Sequence, residues 1–129
     1  MIKRDKGRIL NVASSAGLMP GGPLMSNYYA TKAYVVSLTL GIYEELRRDK
    51  SNIYIGVLCP GPVNTEFNKV AKVEFSVPGL PSEEVASYAI KKMFKRKTII
   101  VPGTSIKLAS FFQRFLPKKT LLKFTYNIQ

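Results

Sequence analysis

Eight residues, Asn27 to Tyr34 (NYYATKAY), set two phenols just before an ammonium. A phenol titrates near ~10, too high to act readily as a base at neutral pH. A nearby positive charge favours its phenolate form. On a helix, Lys32 shares a face with Tyr28, four residues earlier, and is also within reach of Tyr29, three residues earlier. The spacing permits proton transfer by either tyrosine. It equally permits a packed ring with a lysine stem passing over it. Ser14 and Ser15 are the next candidates. They close an apolar run, and ligand sites in open α/β sheets lie beyond the carboxyl ends of strands. A hydroxyl there can hydrogen-bond a substrate oxygen, although serines also end strands simply to start a turn.

Other chemistries are excluded by composition. The 129 residues contain no histidine and a single cysteine, Cys59. Within this chain that leaves no Ser–His–Asp or Cys–His arrangement, no internal disulfide and no metal site. The glycines of GLMPGG (Gly17, Gly21 and Gly22) follow a strand as a phosphate-binding loop would. Pro23, Leu24 and Met25 separate them from the next helix, so a helix N-terminus would not point at a phosphate held there. A plain connecting loop is the expectation.

The elements that position these residues alternate. Arg8 to Ser15 reads as a buried strand, with Ile9, Leu10, Val12 and Ala13. Ala16 to Ser26 reads as a loop rich in Gly and Pro. Ser26 or Asn27 can cap a helix running to about Arg48. That helix has two apolar stripes, Val35/Leu38/Ile42/Leu46 and Val36/Leu40/Tyr43. A surface helix needs one such face, so a second points to a further helix or another subunit. Asn52 to Gly61 is a second strand, apolar throughout as a parallel strand covered on both faces should be. Pro60 to Pro81 lacks periodicity and reads as a binding loop or lid. Ser82 caps a short helix with Glu83 and Glu84 in its first turn and an apolar edge of Val85, Ala89 and Met93. Thr98 to Gly103 is a third strand. Crossovers this long imply a parallel sheet with right-handed connections. The apolar first strand would be an unprotected edge, so the body looks like part of a larger sheet.

Charge is the other prominent feature. Twenty Lys+Arg oppose eight Asp+Glu, giving +12. Such a field attracts anions, but no nucleic-acid motif appears, and nucleic acid is not expected as a partner. Residues 104–129 form a basic amphipathic segment: Leu108, Phe111, Phe112 and Phe115 follow i, i+3, i+4, i+7 spacing, and PKKTLLKFTY adds three lysines. The segment suits a cap on the domain's own pocket, peripheral contact with a membrane face, or a partner surface. The charged start MIKRDKGR is not a signal peptide, and no apolar run approaches the ~18 residues of a spanning helix. A cytoplasmic, reducing setting is expected.

Taken together, GRILNVASSAG, YYATK and CPGPVNTEF resemble the short-chain dehydrogenase/reductase family, over roughly Gly7 to Gly103. The family's Tyr-x-x-x-Lys signature selects Tyr28 with Lys32, and its active-site serine, thirteen residues before the tyrosine, falls on Ser15. The resemblance implies that Tyr28 is the general acid/base, that Lys32 lowers its pKa and holds the nicotinamide ribose, and that Ser15 hydrogen-bonds the substrate oxygen. It places Pro60 and Gly61 where the nicotinamide sits, and Val63 and Thr65 at cofactor-contacting positions. Thr65 to Pro81 becomes the substrate loop. The implied activity interconverts a carbonyl and an alcohol with NAD or NADP. Apolar residues of the loop and tail (Val70, Val73, Phe75, Val77, Leu80, Leu108, Phe111) suit a hydrophobic substrate, and core packing accounts for them as well.

The departures are as informative. The family's glycine-rich phosphate loop, its residue that sorts NAD from NADP and its catalytic asparagine have no counterpart here. Asn11 lies inside a strand and is not that asparagine. The expected architecture is α/β: the C-terminal half of a doubly wound, Rossmann-type parallel sheet with about three strands and their helices (residues 1–103), plus the basic helical tail (residues 104–129). The expectation is a truncated oxidoreductase, inactive alone and a homo-oligomer when complete. The alternative is a non-catalytic interaction or dimerisation module derived from such an enzyme.

Overall fold

The structure, a computed structural model, describes residues 1–66 and 78–128. Three parallel strands form its main sheet: β1 (Arg8–Val12), β2 (Tyr54–Leu58) and β5 (Ile99–Ile100), in the order β1-β2-β5. The register runs from Arg8↔Tyr54 to Val12↔Leu58 on one side of β2, with Val57↔Ile99 and Leu58↔Ile100 on the other. A second, two-stranded parallel pair joins β3 (Val63–Asn64) to β4 (Leu80–Pro81). Two-residue strands carry no periodicity, so this pair was not readable within the aperiodic Pro60–Pro81 stretch. Of the expected substrate loop and its apolar side chains, residues 67–77 lie outside the described residues.

Helices cover both faces of β2, and alternation along the strand decides which side chain meets which helix. Val57 and Cys59 pack with Ala13 against Val36 of α1 (Ser26–Arg48), flanked by Val35, Leu40 and Leu18. Leu58 and Ile100 pack on the other face against Val85 and Ala89 of α2 (Ser82–Phe94), flanked by Met93 and Tyr88. All five residues of β2 are buried, as a strand covered twice must be. The strands advance in one direction while their crossover helices lie on opposite faces. The two crossovers therefore have opposite hands and cannot both be right-handed, contrary to expectation. A strand apolar on both faces accepts a helix on either, so sequence pattern does not choose the hand.

β1 pairs only with β2 among the described residues, and its far side is open. Val12 is 60% exposed and Ile9 is exposed as well, as the edge expectation required. A polar tether centred on the buried Thr39 holds α1 over this strand: Asn11 Nδ2 donates to Thr39 Oγ1 (2.9 Å), and Thr39 Oγ1 donates to the Val35 carbonyl (2.7 Å).

Three local expectations are corrected. Ser26 and Asn27 do not cap α1; Met25 holds the cap position, and Ser26 is the first helical residue, its hydroxyl donating to the Gly22 carbonyl (3.3 Å). Pro81, not Ser82, precedes α2, and its fixed φ and extended backbone start the helix without a side-chain cap. The two stripes of α1 do not segregate. Val35 and Val36 meet the same core, whereas Leu38 and Tyr43, one from each stripe, are exposed. The helix has one buried face drawn from both stripes.

Beyond β5 the chain forms α3 (Thr104–Phe112), a short 3-10 turn (Gln113–Phe115) and α4 (Lys118–Ile128). This tail packs over the carboxyl ends of the strands. Gln113 Nε2 donates to the Leu18 carbonyl (2.8 Å), Ile106 lies against Gly61, and Leu122 lies against Gly21.

Candidate active site

The β1–β2 ladder continues past both strands and builds the site floor. The Ala13 N–H donates to the Leu58 carbonyl (2.8 Å), and the Ser15 N–H donates to the Pro60 carbonyl (2.7 Å). Ser15 is thereby fixed beside the Pro60–Gly61 turn at the carboxyl edge of the sheet. The two serines separate by role here. Ser14 is buried; its hydroxyl accepts from the Ala16 N–H (3.2 Å) and donates to the Pro60 carbonyl (3.4 Å). It is the cap of the 3-10 turn Ser15–Leu18. Ser15 is half-buried, and its hydroxyl has no such task among the described residues.

Gly17 brings that turn against α1. A Cβ at Gly17 would sit 2.6 Å from the Lys32 carbonyl oxygen and 3.0 Å from Val36 Cγ2. Only glycine allows this approach, and the approach holds the serine turn beside the helical turn that carries Lys32. Sequence reading gave Gly17 no such task; its place directly after Ser-Ser-Ala is the one signal available.

Tyr28 and Lys32 lie on one side of α1, both half-buried, with the Lys32 ammonium 5.5 Å from the Tyr28 ring centroid. That is within cation–π range. Tyr29 turns elsewhere. It meets Tyr28 edge-on (centroids 6.2 Å, planes at 75°) and packs on Gly22, where any Cβ would strike its ring. It lines an open groove of about 360 Å³ with Met19, Pro20, Ala33 and Leu122. Tyr29 is thus a wall residue, with Tyr28 the phenol beside the lysine.

Of the residues with expected cofactor contacts, Pro60 and Gly61 stand with Ser15. Val63 follows, half-buried in the β3–β4 pair and packed at the α2 core, and Thr65 is exposed beyond it. The glycines offer no phosphate cradle. Gly17 packs on Lys32, Gly21 on Leu122 and Gly22 on Tyr29. The loop glycines therefore leave no room to cradle a pyrophosphate. Cys59 is no nucleophile: burial pushes its thiol up to about 12, only partly countered by a hydrogen bond from the Ser14 backbone, so the thiolate is not formed at neutral pH.

Comparison with known proteins identifies the family. The short chain dehydrogenase family model matches residues 1–74. The chain belongs to that family. It is 28% identical to the very-long-chain 3-oxoacyl-CoA reductase of Rattus norvegicus over all of its length and 41% of the relative's. It is 29% identical to estradiol 17-beta-dehydrogenase 11 of Mus musculus, again over all of its length and 44% of the relative's. Among solved structures, a short-chain dehydrogenase from Sphingobium yanoikuyae in complex with NADPH superposes with a TM-score of 0.71 at 25% identity, covering 88% of this chain and 45% of that one. A Burkholderia cenocepacia enzyme in complex with NADP shares the fold at a TM-score of 0.76 and 20% identity, over 96% of this chain and 49% of that one. The chain thus spans less than half the length of each of these four relatives. Its partial Rossmann-type architecture is that of these enzymes.

Proposed function

We propose that this chain supplies the proton-transfer half of an NAD(P)-dependent oxidoreductase that interconverts a carbonyl and an alcohol. The observation that carries this reading is the lysine placed 5.5 Å over the Tyr28 ring, on the helical turn against which Gly17 seats the Ser15 loop. Tyr28 passes a proton to or from the substrate oxygen as general acid/base. Lys32 keeps positive charge beside that phenol during the transfer and reaches the nicotinamide ribose. Ser15, its hydroxyl at the carboxyl edge, donates to the same substrate oxygen and orients it. Pro60 and Gly61 would wall the nicotinamide, and Val63 and Thr65 would meet the cofactor's carboxamide and phosphate region. A bound nicotinamide would supply or accept the hydride at the substrate carbon.

In this reading the pyrophosphate cradle, the choice between NAD and NADP and the catalytic asparagine come from an upstream segment that adds strands to the open edge of β1. Residues 1–103 carry the catalytic part and residues 104–129 the basic segment. The names of the relatives, a 3-oxoacyl-CoA reductase and an estradiol dehydrogenase, support a hydrophobic substrate. The exposed Tyr34 and Leu38 on the outer face of α1 support a homo-oligomeric contact there. A reducing compartment suits the lone buried thiol, and among the described residues no helix is long and apolar enough to cross a membrane.

The test joins the chain to an upstream nucleotide-binding half and follows NAD(P)H oxidation with long-chain 3-oxoacyl thioesters and steroid ketones. The Tyr28→Phe variant should lose roughly 10²–10⁴-fold in rate, with its far-UV spectrum unchanged. A retained rate overturns the assignment. The 129 residues alone should bind NAD(P) weakly and turn over little; micromolar binding by calorimetry refutes that part. The second reading, a non-catalytic module, rests on the same exposed edge and helix face. It predicts that the joined protein self-associates yet remains inactive.

A further inference from the structure

Independently of the chemistry, we infer that α3 and the 3-10 turn after it dock this protein on an anionic lipid bilayer. The two sides of this segment differ sharply. One side is fastened to the body: Ile106 packs against Gly61 and Gly103, and Gln113 bonds the Leu18 carbonyl at 2.8 Å. The other side carries Leu108, Phe111, Phe112 and Phe115, all exposed, with Phe115 at 72%. At 100° per residue these four lie opposite Ile106 and Gln113. Their rings cluster edge to face, Phe111 with Phe112 at 5.6 Å and with Phe115 at 5.7 Å. The fastening on the inner side holds the aromatic face outward, so it is not a helix turned the wrong way.

Charge identifies the occupant. After Glu84 the chain has ten basic residues and no acidic one. Five of them (Lys107, Arg114, Lys118, Lys119 and Lys123) belong to the tail that bears the aromatic face. An apolar face set among cations without a counter-charge matches an anionic headgroup layer over an acyl interior. A second copy of the same tail would bring like charge against like charge. Added strands would join at β1, which is the opposite edge of the sheet from β5, the strand that leads into α3.

Co-sedimentation of the full chain with phosphatidylcholine vesicles, with and without phosphatidylserine, tests the inference. The chain should pellet with phosphatidylserine present, stay in the supernatant on phosphatidylcholine alone, and release at high salt. Lys118→Gln with Lys119→Gln should weaken partition about fivefold for each lysine removed. Phe111→Ser with Phe115→Ser should lower it at least about tenfold. Both pairs replace exposed side chains, and an unchanged far-UV spectrum verifies the fold of each. Equal pelleting on both vesicle types, no pelleting, or partition unmoved by either pair overturns the inference. So does dissociation of a self-associated form by the Phe111/Phe115 pair in light scattering, which would assign the face to a second copy.

Discussion

β2 and α3 are both rich in apolar residues and have opposite fates. Every residue of Tyr54–Leu58 is buried, and none of Thr104–Phe112 is. The difference is one of neighbours, not of composition. β2 has a strand on either side and a helix on either face, so each side chain finds an apolar partner. α3 touches the body along a single line through Ile106 and leaves its aromatic side to whatever lies outside. Apolar content therefore marks a need for cover, and topology decides whether the chain itself provides it.

The largest expected effect breaks this contrast at its buried end. Leu58→Ala should cost about 2–5 kcal/mol, because it leaves a cavity between Val85, Ala89 and Ile100. Phe112→Ala, on the exposed side, should stay within about 0.5 kcal/mol. Urea denaturation of the two variants measures both, and equal losses would erase the distinction. Next comes the junction between sheet and site. Gly17→Ala should cost about 1–3 kcal/mol, since the Lys32 carbonyl that it meets is backbone and cannot swing aside. In the joined enzyme it should also slow turnover by moving the Ser15 turn. An Ala variant as stable as the parent would show that the turn is not seated on α1.

The smallest effect concerns pH. Hydrogen bonds from Arg47 and then Arg48 hold the Glu44 carboxyl at about 2, below its ordinary 4.5. A depressed carboxylate contributes stability that is present above its unfolded value and lost as pH falls from there through about 2. Because the pair is fully exposed, salt screens it. Glu44→Gln should lower the neutral-pH plateau of a thermal-melt profile slightly and flatten its acid limb between those values, leaving the lowest pH unchanged. An unaltered acid limb would mean the pair contributes nothing.

Much of the fold was legible because it follows from period and length. The three strands, the two crossover helices and the exposed edge at β1 all lie where apolar runs and breakers put them. The third strand is shorter than its apolar run, Ile99–Ile100 against an expected Thr98–Gly103, because its pairing with β2 ends at Ile100. What period cannot show is which face of the sheet a helix takes. α2 lies opposite α1, and β2, apolar on both sides, would have accepted either. Spacing also left Tyr28 and Tyr29 equivalent. In space the loop glycine at 22 receives the ring of Tyr29, while Lys32 stands over Tyr28, and that distinction depends on how the loop before the helix folds back onto it. Ser14 and Ser15 separate for a similar reason: the ladder partner Pro60, far along the chain, engages one hydroxyl and not the other.

The opposed crossovers also bear on how the chain reaches this state. β2 is the floor for both, and each closure joins residues of distant sequence position, Arg8 with Tyr54 and Val57 with Ile99. Loop-closure entropy rises only slowly with length, so the two closures face nearly the same entropic barrier and neither helix obstructs the other. Either can form first. Both wait on the same strand and share Val57 and Leu58, so the unfolded chain searches for one central strand twice, and a lesion at those two residues delays both searches at once.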